Sequence, residues 1–189
     1  MEALKTKIQN EGHAIGADIV KVDNFLNHQI DVAFMDQIGE EFYRRFEMEK
    51  VDKILTIEAS GIAIGMSTAR CFNVPLVFAK KNESKNLDKE TYTTDVFSFT
   101  KNKTYAVKVS KKYIQPGENI LIVDDFLANG KAALGLMDII EQAGAKVAGI
   151  GIVIEKSFQP GGDELREKGI RVESLAMIDH IEEGKVFFK

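Results

Sequence analysis

The stretch Ile120-Leu121-Ile122-Val123-Asp124-Asp125-Phe126-Leu127-Ala128-Asn129-Gly130-Lys131-Ala132 decides how this chain folds. Four aliphatic residues in a row read as a buried strand. Two adjacent carboxylates follow, then a short loop of small residues, then a helix. That helix places Ala133, Leu136, Met137 and Ile140 on its inner face and is expected to stop near Gly144. Neighbouring carboxylates at a strand end, Asp124 and Asp125, suit the hydroxyls of a sugar ring. Ala128, Asn129, Gly130, Lys131 and Ala132 offer backbone N–H groups, and Gly130 has no Cβ to bar a close approach. The helix behind them aims its positive end at the same place. Together these parts read as a cradle for a ribose 5-phosphate. An isolated Asp-Asp pair is more often an acidic turn before a helix; the whole sequence of strand, acids, loop and helix carries the reading.

Working outward, strand-like and helical patterns alternate. Phe34, Ile38, Phe42 and Phe46 recur every fourth residue and predict a helix from about Asp31 to Lys50. Lys53–Ile57 reads as a short buried strand with a helix opening near Gly61, Pro75–Ala79 as the next strand, and Val147–Ile154 as the one after Ile120–Val123. Ile19–Val22 is also strand-like. Such alternation implies an α/β fold with a mainly parallel sheet flanked by helices, whose ligands gather at the carboxyl ends of the strands. Lys80–Lys89 is polar and aperiodic, which in a compact domain marks a lid or a disordered segment. Thr91–Phe99 and Thr104–Val109 read as a hairpin.

Composition removes several classes. With 189 residues, 44% hydrophobic and 29% charged, the chain fits one ordinary globular domain. A net charge of -4 argues against a nucleic-acid binder. Cys71 is the only cysteine, so no intrachain disulfide is expected, and it reads as a buried small hydrophobe. No apolar run is long enough to span a bilayer, and Met1–Lys5 lacks the core of a signal peptide, so the cytoplasm is the expected compartment. His13, His28 and His180 are scattered without metal-ligand spacing, and no dedicated metal site is expected. Glu40-Glu41 and Glu182-Glu183 read as solvated faces.

The 120–132 segment resembles the signature of the type I phosphoribosyltransferases, enzymes that use 5-phosphoribosyl 1-diphosphate. No dinucleotide-binding glycine turn and no Walker loop competes with it. The resemblance implies a single domain over 1–189, with a small hood from N- and C-terminal segments (roughly 1–30 and 156–189) and a flexible lid (roughly 80–104). It implies that Asp124 and Asp125 hold the ribose hydroxyls and that Ala128 to Ala132 hold the 5′-phosphate. Glu58-Ala59-Ser60-Gly61 resembles the diphosphate loop of the adenine-type enzymes, which commonly carry Arg where Ser60 stands. Charge compensation then falls to Lys80 or Lys81 and to magnesium carried with the diphosphate. Ala128 stands where the hypoxanthine-guanine branch carries an acid, so no general base is expected there.

The resemblance is most extensive to the branch of the family that acts on xanthine. In that branch the residues matching Val20, Asn27 and Lys156 touch the base. Lys156 has donors only, which suits a carbonyl at the purine C6 and opposes the amino group of adenine. Asn27 both donates and accepts, and by itself it reads equally as a turn residue. Phe158 is placed to stack on the ring. The implied substrates are xanthine and 5-phosphoribosyl 1-diphosphate, and relatives of this kind are usually homodimers. Two other readings stay open: the same chemistry on guanine, hypoxanthine or adenine, and a regulator that senses the diphosphate while binding DNA. Regulators of that kind carry a winged-helix domain ahead of the fold, whereas only about thirty residues precede the first long helix here.

Overall fold

A parallel sheet must be covered on both faces, so its central strands are apolar along their whole length. That condition is met here. The computed structural model describes residues 1–81, 90–98 and 103–189. In chain order these form α1 (Glu2–Glu11), β1 (His13–Ile15), β2 (Ile19–Lys21), a π-helical turn (Asp23–Asn27), α2 (Val32–Phe46), β3 (Lys53–Ile57), α3 (Gly61–Phe72) and β4 (Leu76–Ala79). There follow β5 (Thr91–Ser98), β6 (Lys103–Ser110), a 3-10 turn (Lys111–Tyr113), β7 (Asn119–Leu127), α4 (Lys131–Gln142), β8 (Lys146–Lys156), α5 (Gly161–Glu167), β9 (Val172–Glu182) and β10 (Lys185–Phe188). The main sheet has the order β10-β9-β8-β7-β3-β4, parallel throughout except for the antiparallel β9–β10 edge. The pairs β1–β2 and β5–β6 are separate antiparallel ribbons.

Alternation along each strand divides the core in two. Ile54, Leu121, Val123 and Val153 join α1, α2 and α3 on one face. Leu55, Ile120, Ile122, Ile150 and Ile152 join α4 and the β5–β6 hairpin on the other. The aromatic stripe of α2 sits on β8 at two glycines. A Cβ on Gly149 would lie 2.5 Å from Phe46, and one on Gly151 would lie 2.8 Å from Phe42. Lys53, only 9% exposed within β3, has its ammonium satisfied by the Tyr113 carbonyl and both carboxylate oxygens of Glu118.

Several expectations shift. Helix α2 begins at Val32, because the Asp31 carboxylate caps it by accepting the Phe34 N–H at 3.1 Å, and ends at Phe46 rather than near Lys50. Met48, which would continue the helix, is 89% exposed and has nothing to pack on. Strand β7 runs to Leu127, four residues past the aliphatic run, because β8 pairs with it as far as Leu127↔Glu155. On α4 the buried positions include Gly135 and Ile139, while Met137 is only half-buried. Cys71 is also half-buried, with its thiol pKa pushed up by that burial. Glu41 is not solvated: it bridges Arg44 and Arg45, both at 2.8 Å.

The C-terminal stretch enters the main sheet through β9 and β10. The hairpin stands as Thr91–Ser98 with Lys103–Ser110, whereas Phe99 and residues 82–89 and 99–102 of the expected lid lie outside the described residues. Among the described residues no helix is long and apolar enough to cross a membrane.

Gly151→Val drives two methyls into the Phe42 ring, and overpacking of this kind costs about 1–3 kcal/mol. The urea midpoint is expected to fall with an unchanged slope. An unchanged midpoint would remove the close packing of α2 on β8.

Candidate functional site

The site is built where β7 outlasts its neighbour. Pairing of β3 with β7 ends at Leu55↔Ile122, but β7 continues beside β8 to Leu127. Asp124 and Asp125 therefore lie within an extended strand that has lost one flank. Asp124 is 7% exposed. Its Oδ1 accepts the Asp125 N–H, and Asp125 Oδ1 accepts the Phe126 N–H, both at 3.0 Å. Burial, and then the charge of Asp125, push the Asp124 carboxyl well above the usual carboxylate range. Asp125 is less buried, and its Oδ2 accepts from Asn27 Nδ2 at 3.1 Å. The pair is thus asymmetric, with one deep carboxyl and one more exposed and held by Asn27.

After Leu127 the chain turns through Ala128 and Asn129 to Gly130, whose φ of +71° is open to glycine at little cost. Helix α4 starts at Lys131 without a side-chain cap. Its first intrahelical bond runs from the Leu134 N–H to the Gly130 carbonyl, so the N–H groups of Lys131, Ala132 and Ala133 face outward from the helix start. A cleft of about 190 Å³ lies against them. Asp124 and Phe126 form its floor, and Val96, Phe97 and Tyr105 of the β5–β6 hairpin wall it. The Tyr105 phenol pKa is raised by burial and by the Asp124 charge. The Lys131 side chain is exposed, so its backbone is what the cleft receives.

The second loop faces the first. Glu58, Ala59 and Ser60 join β3 to α3, and the Glu58–Ala59 peptide is cis. Ser60 occupies the N-cap position of α3, but its hydroxyl makes no capping bond. Gly61 is obligatory by packing: a Cβ there would collide with Thr56 Oγ1 and lie 3.3 Å from Asp124 Oδ1. Thr56 Oγ1 is itself buried and has no hydrogen-bond partner among the described residues. The Glu58 carboxylate accepts the Lys81 N–H at 2.7 Å, which ties the start of the segment after β4 to this loop. Lys81 Nζ lies 5.3 Å from the Tyr105 ring centroid, and its charge opposes the upward shift of Asp124. Lys80 is held by paired backbone bonds to Lys108, both at 2.9 Å.

The residues expected at a base pocket divide. Asn27, at the end of the π-helical turn, comes to Asp125. Lys156, at the end of β8, lies 5.8 Å from the Phe126 ring centroid and donates to the Asp18 carbonyl at 2.5 Å. Burial depresses its ammonium pKa. Asn27, Asp125, Phe126 and Lys156 thus make a continuous edge running from the carboxylate pair toward the β1–β2 ribbon. Val20 is 6% exposed and belongs to the core, presenting at most an edge. Phe158 stands 40% exposed in the turn after β8. Phe126 and Tyr105 escaped the sequence reading. Phe126 had a signal, being the aromatic directly after the carboxylate pair; Tyr105 had none, since only the hairpin's placement brings it here. No cluster of three or more His, Cys, Asp or Glu side chains suited to a metal ion occurs among the described residues.

Residues 22–185 match the phosphoribosyl transferase domain model. A xanthine phosphoribosyltransferase of Clostridioides difficile is 64% identical, with both chains covered in full. Another from Ruminiclostridium cellulolyticum is 58% identical over all of this chain and 99% of the relative. Among solved structures, the adenine phosphoribosyltransferase of Rhodothermus marinus superposes with a TM-score of 0.76 at 20% identity, covering 94% of this chain and 100% of that one. That of Trypanosoma brucei, in complex with AMP, pyrophosphate and ribose-5-phosphate, gives 0.75 at 16% identity, covering 92% and 79%. These two likenesses concern the fold.

Because the folded-state pKa of Asp124 lies above that of the unfolded chain, its favourable contribution exists at acid pH and is lost as pH rises through the folded-state value. Asp124→Asn removes that loss while keeping an acceptor for the Asp125 N–H. The ligand-free variant is expected to be more urea-resistant than the parent at neutral pH, with the gap closing as pH falls toward the carboxylate range. A variant less stable than the parent at neutral pH would contradict the buried, strained carboxyl.

Proposed function

The chain belongs to the phosphoribosyl transferase family, and from that premise we propose that it is a purine salvage enzyme transferring 5-phosphoribosyl from its 1-diphosphate to xanthine. The observation that carries the reading is one cleft lined by Asp124, Phe126 and an uncapped helix start behind a glycine turn, with Asp125 next to Asp124 in the strand and Lys156 Nζ 5.8 Å from the Phe126 ring centroid. In the reaction the bond from ribose C1 to the diphosphate oxygen breaks and a bond from C1 to a purine ring nitrogen forms. The proton of that ring nitrogen passes to solvent, giving xanthosine 5′-monophosphate and diphosphate. Charge builds on the sugar as the diphosphate departs, so the protein's task is to position and to stabilise charge.

In this reading Asp124 and Asp125 accept the ribose hydroxyls. The amides from Ala128 to Ala132 receive the 5′-phosphate. Glu58 to Gly61 and Lys81 face the diphosphate. Magnesium enters as part of the diphosphate substrate and screens its charge; the carboxylates at this cleft are compatible with a cation held mainly by substrate oxygens. Lys156 donates to the base, exchanging the Asp18 carbonyl for a purine oxygen. Asn27 reads the second oxo group, and Phe126 supports the ring. The N- and C-terminal segments, roughly 1–30 and 156–189, act as the hood, and the segment from about 80 to 104 acts as the lid that excludes water. The active species is a cytoplasmic homodimer.

The test is a spectrophotometric assay with magnesium and the 1-diphosphate, offering xanthine, guanine, hypoxanthine and adenine separately. Xanthine is expected to be preferred; preference for adenine would overturn the base assignment, and no turnover with any purine would overturn the enzyme. Asp124→Asn is expected to lose about a hundredfold or more of kcat while folded, as when a buried transition-state partner is removed. Lys156→Met keeps the apolar stem and removes the ammonium. It is expected to lower kcat/KM for xanthine about tenfold to a hundredfold, the range for one charged hydrogen bond. Full xanthine activity in that variant would exclude Lys156 from the base.

A further inference from the structure

Glu155 is 2% exposed, at the end of β8, where a carboxylate needs a strong reason to be. Burial acts to raise its pKa, but the hydrogen bonds from Arg166 and Ser174 prevail and hold it below the usual glutamate value. Arg166 reaches it from α5 as a fork, at 2.8 and 2.7 Å, and the Ser174 hydroxyl of β9 completes the set. None of these residues faces the cleft described above. A buried ion pair is weak evidence of stabilisation, but a two-pronged one fixes orientation strongly.

What it orients is the first turn of α5. A Cβ on Gly162 would collide with Glu155 Oε1 and come 2.7 Å from Arg166, so the backbone there is pressed against the pair. The preceding residue, Gly161, donates its N–H to the Ala128 carbonyl at 3.0 Å. A Cβ on Gly161 would strike the Gly130 nitrogen and the Ala128 carbonyl oxygen, and would lie 2.7 Å from the Asn129 carbonyl carbon. Backbone therefore lies directly on backbone, and the loop from Ala128 to Gly130 has α5 as its outer wall. Glu155 also sits opposite Leu127 in the β7–β8 ladder, where that loop departs. One carboxylate thus governs both sides of the loop.

We infer that the Glu155–Arg166 pair is a positioning element for the 5′-phosphate: it clamps Gly161 against Ala128–Gly130 and so sets the geometry in which the loop amides meet the phosphate. The inference rests on the phosphoribosyl reading of that loop. It separates the pair from the diphosphate loop, which neither the Arg166 fork nor the Ser174 hydroxyl reaches, while Lys156 of the base edge follows Glu155 directly in β8.

The experiment uses Arg166→Lys, which keeps the charge and loses the fork, and Glu155→Gln, which keeps the shape and loses the charge. Both are compared with the parent in steady-state kinetics, in equilibrium titration with ribose 5-phosphate and with diphosphate, and in hydrogen exchange of the 128–132 peptide. Expected are KM for the 1-diphosphate and Kd for ribose 5-phosphate raised about tenfold to a hundredfold, the scale for small misplacements of a binding group. The Kd for diphosphate stays as in the parent in both variants, the KM for xanthine stays as in the parent in Arg166→Lys, and exchange at 128–132 accelerates. A lower melting temperature with both KM values and loop exchange unchanged would make the pair merely structural and overturn the inference. Should the parent bind no ribose 5-phosphate while loop exchange still accelerates in the variants, the clamp stands and the phosphoribosyl reading falls.

Discussion

The structure depends on the one-sided continuation of β7. Through Ile122 this strand is hydrogen-bonded between β3 and β8, and from there to Leu127 it keeps only β8. An interior strand that loses one neighbour opens a gap at the carboxyl end of the sheet, where loops from both flanking units converge. The chain fills the edge of that gap with residues that satisfy the backbone locally. The carboxylates of Asp124 and Asp125 each take the N–H of the next residue, so the strand stays extended while Asp124 lines the cleft and Asp125 Oδ2 accepts from Asn27. Moving the end of β3 by a few residues would close the site.

Around this gap the elements divide the work by physical type. Backbone amides at a glycine turn supply fixed, neutral donors that cannot be titrated away. The carboxylate pair supplies acceptors whose unequal burial separates their protonation behaviour. The lysine and the aromatic ring supply a cation and an apolar plane at the far edge. Glycines make the close approaches possible: Gly61 against Thr56 and Asp124, and Gly161 against the loop backbone. In both cases glycine is required because another part of the chain already occupies the space a Cβ would need, with no unusual φ involved.

Much of the architecture was legible because it rests on local pattern. The fourfold spacing of Phe34, Ile38, Phe42 and Phe46, the solid apolar content of β3 and β8, and the hairpin's β-branched residues report their own environments. Helix α1 and the strands β9 and β10 were not read. Strand β9 mixes buried Leu175, Ala176 and Ile178 with exposed Asp179 and His180, so neither a strict alternation nor an apolar run announces it. It is recognisable as a strand only because β8 lies beside it. The end of β7 was misread for the same reason: acids after an aliphatic run resemble a strand end unless a partner strand continues.

The site divides along the same line. Local sequence determined the set of groups proposed to bind a phosphorylated sugar: two consecutive acids, a glycine turn and a helix start are contiguous, and their chemistry depends little on the rest of the chain. Tertiary structure alone decided which distant groups join them. Asn27 meets Asp125 across 98 positions, and Lys156 meets the Asp18 carbonyl across 138. Tyr105 enters by the folding of a hairpin, and Glu155 holds Arg166 of α5, the helix whose Gly161 rests on the Ala128–Gly130 backbone. Such meetings follow from sheet order and from which backbone segments come close enough to exclude a side chain, and no periodicity along the chain encodes them.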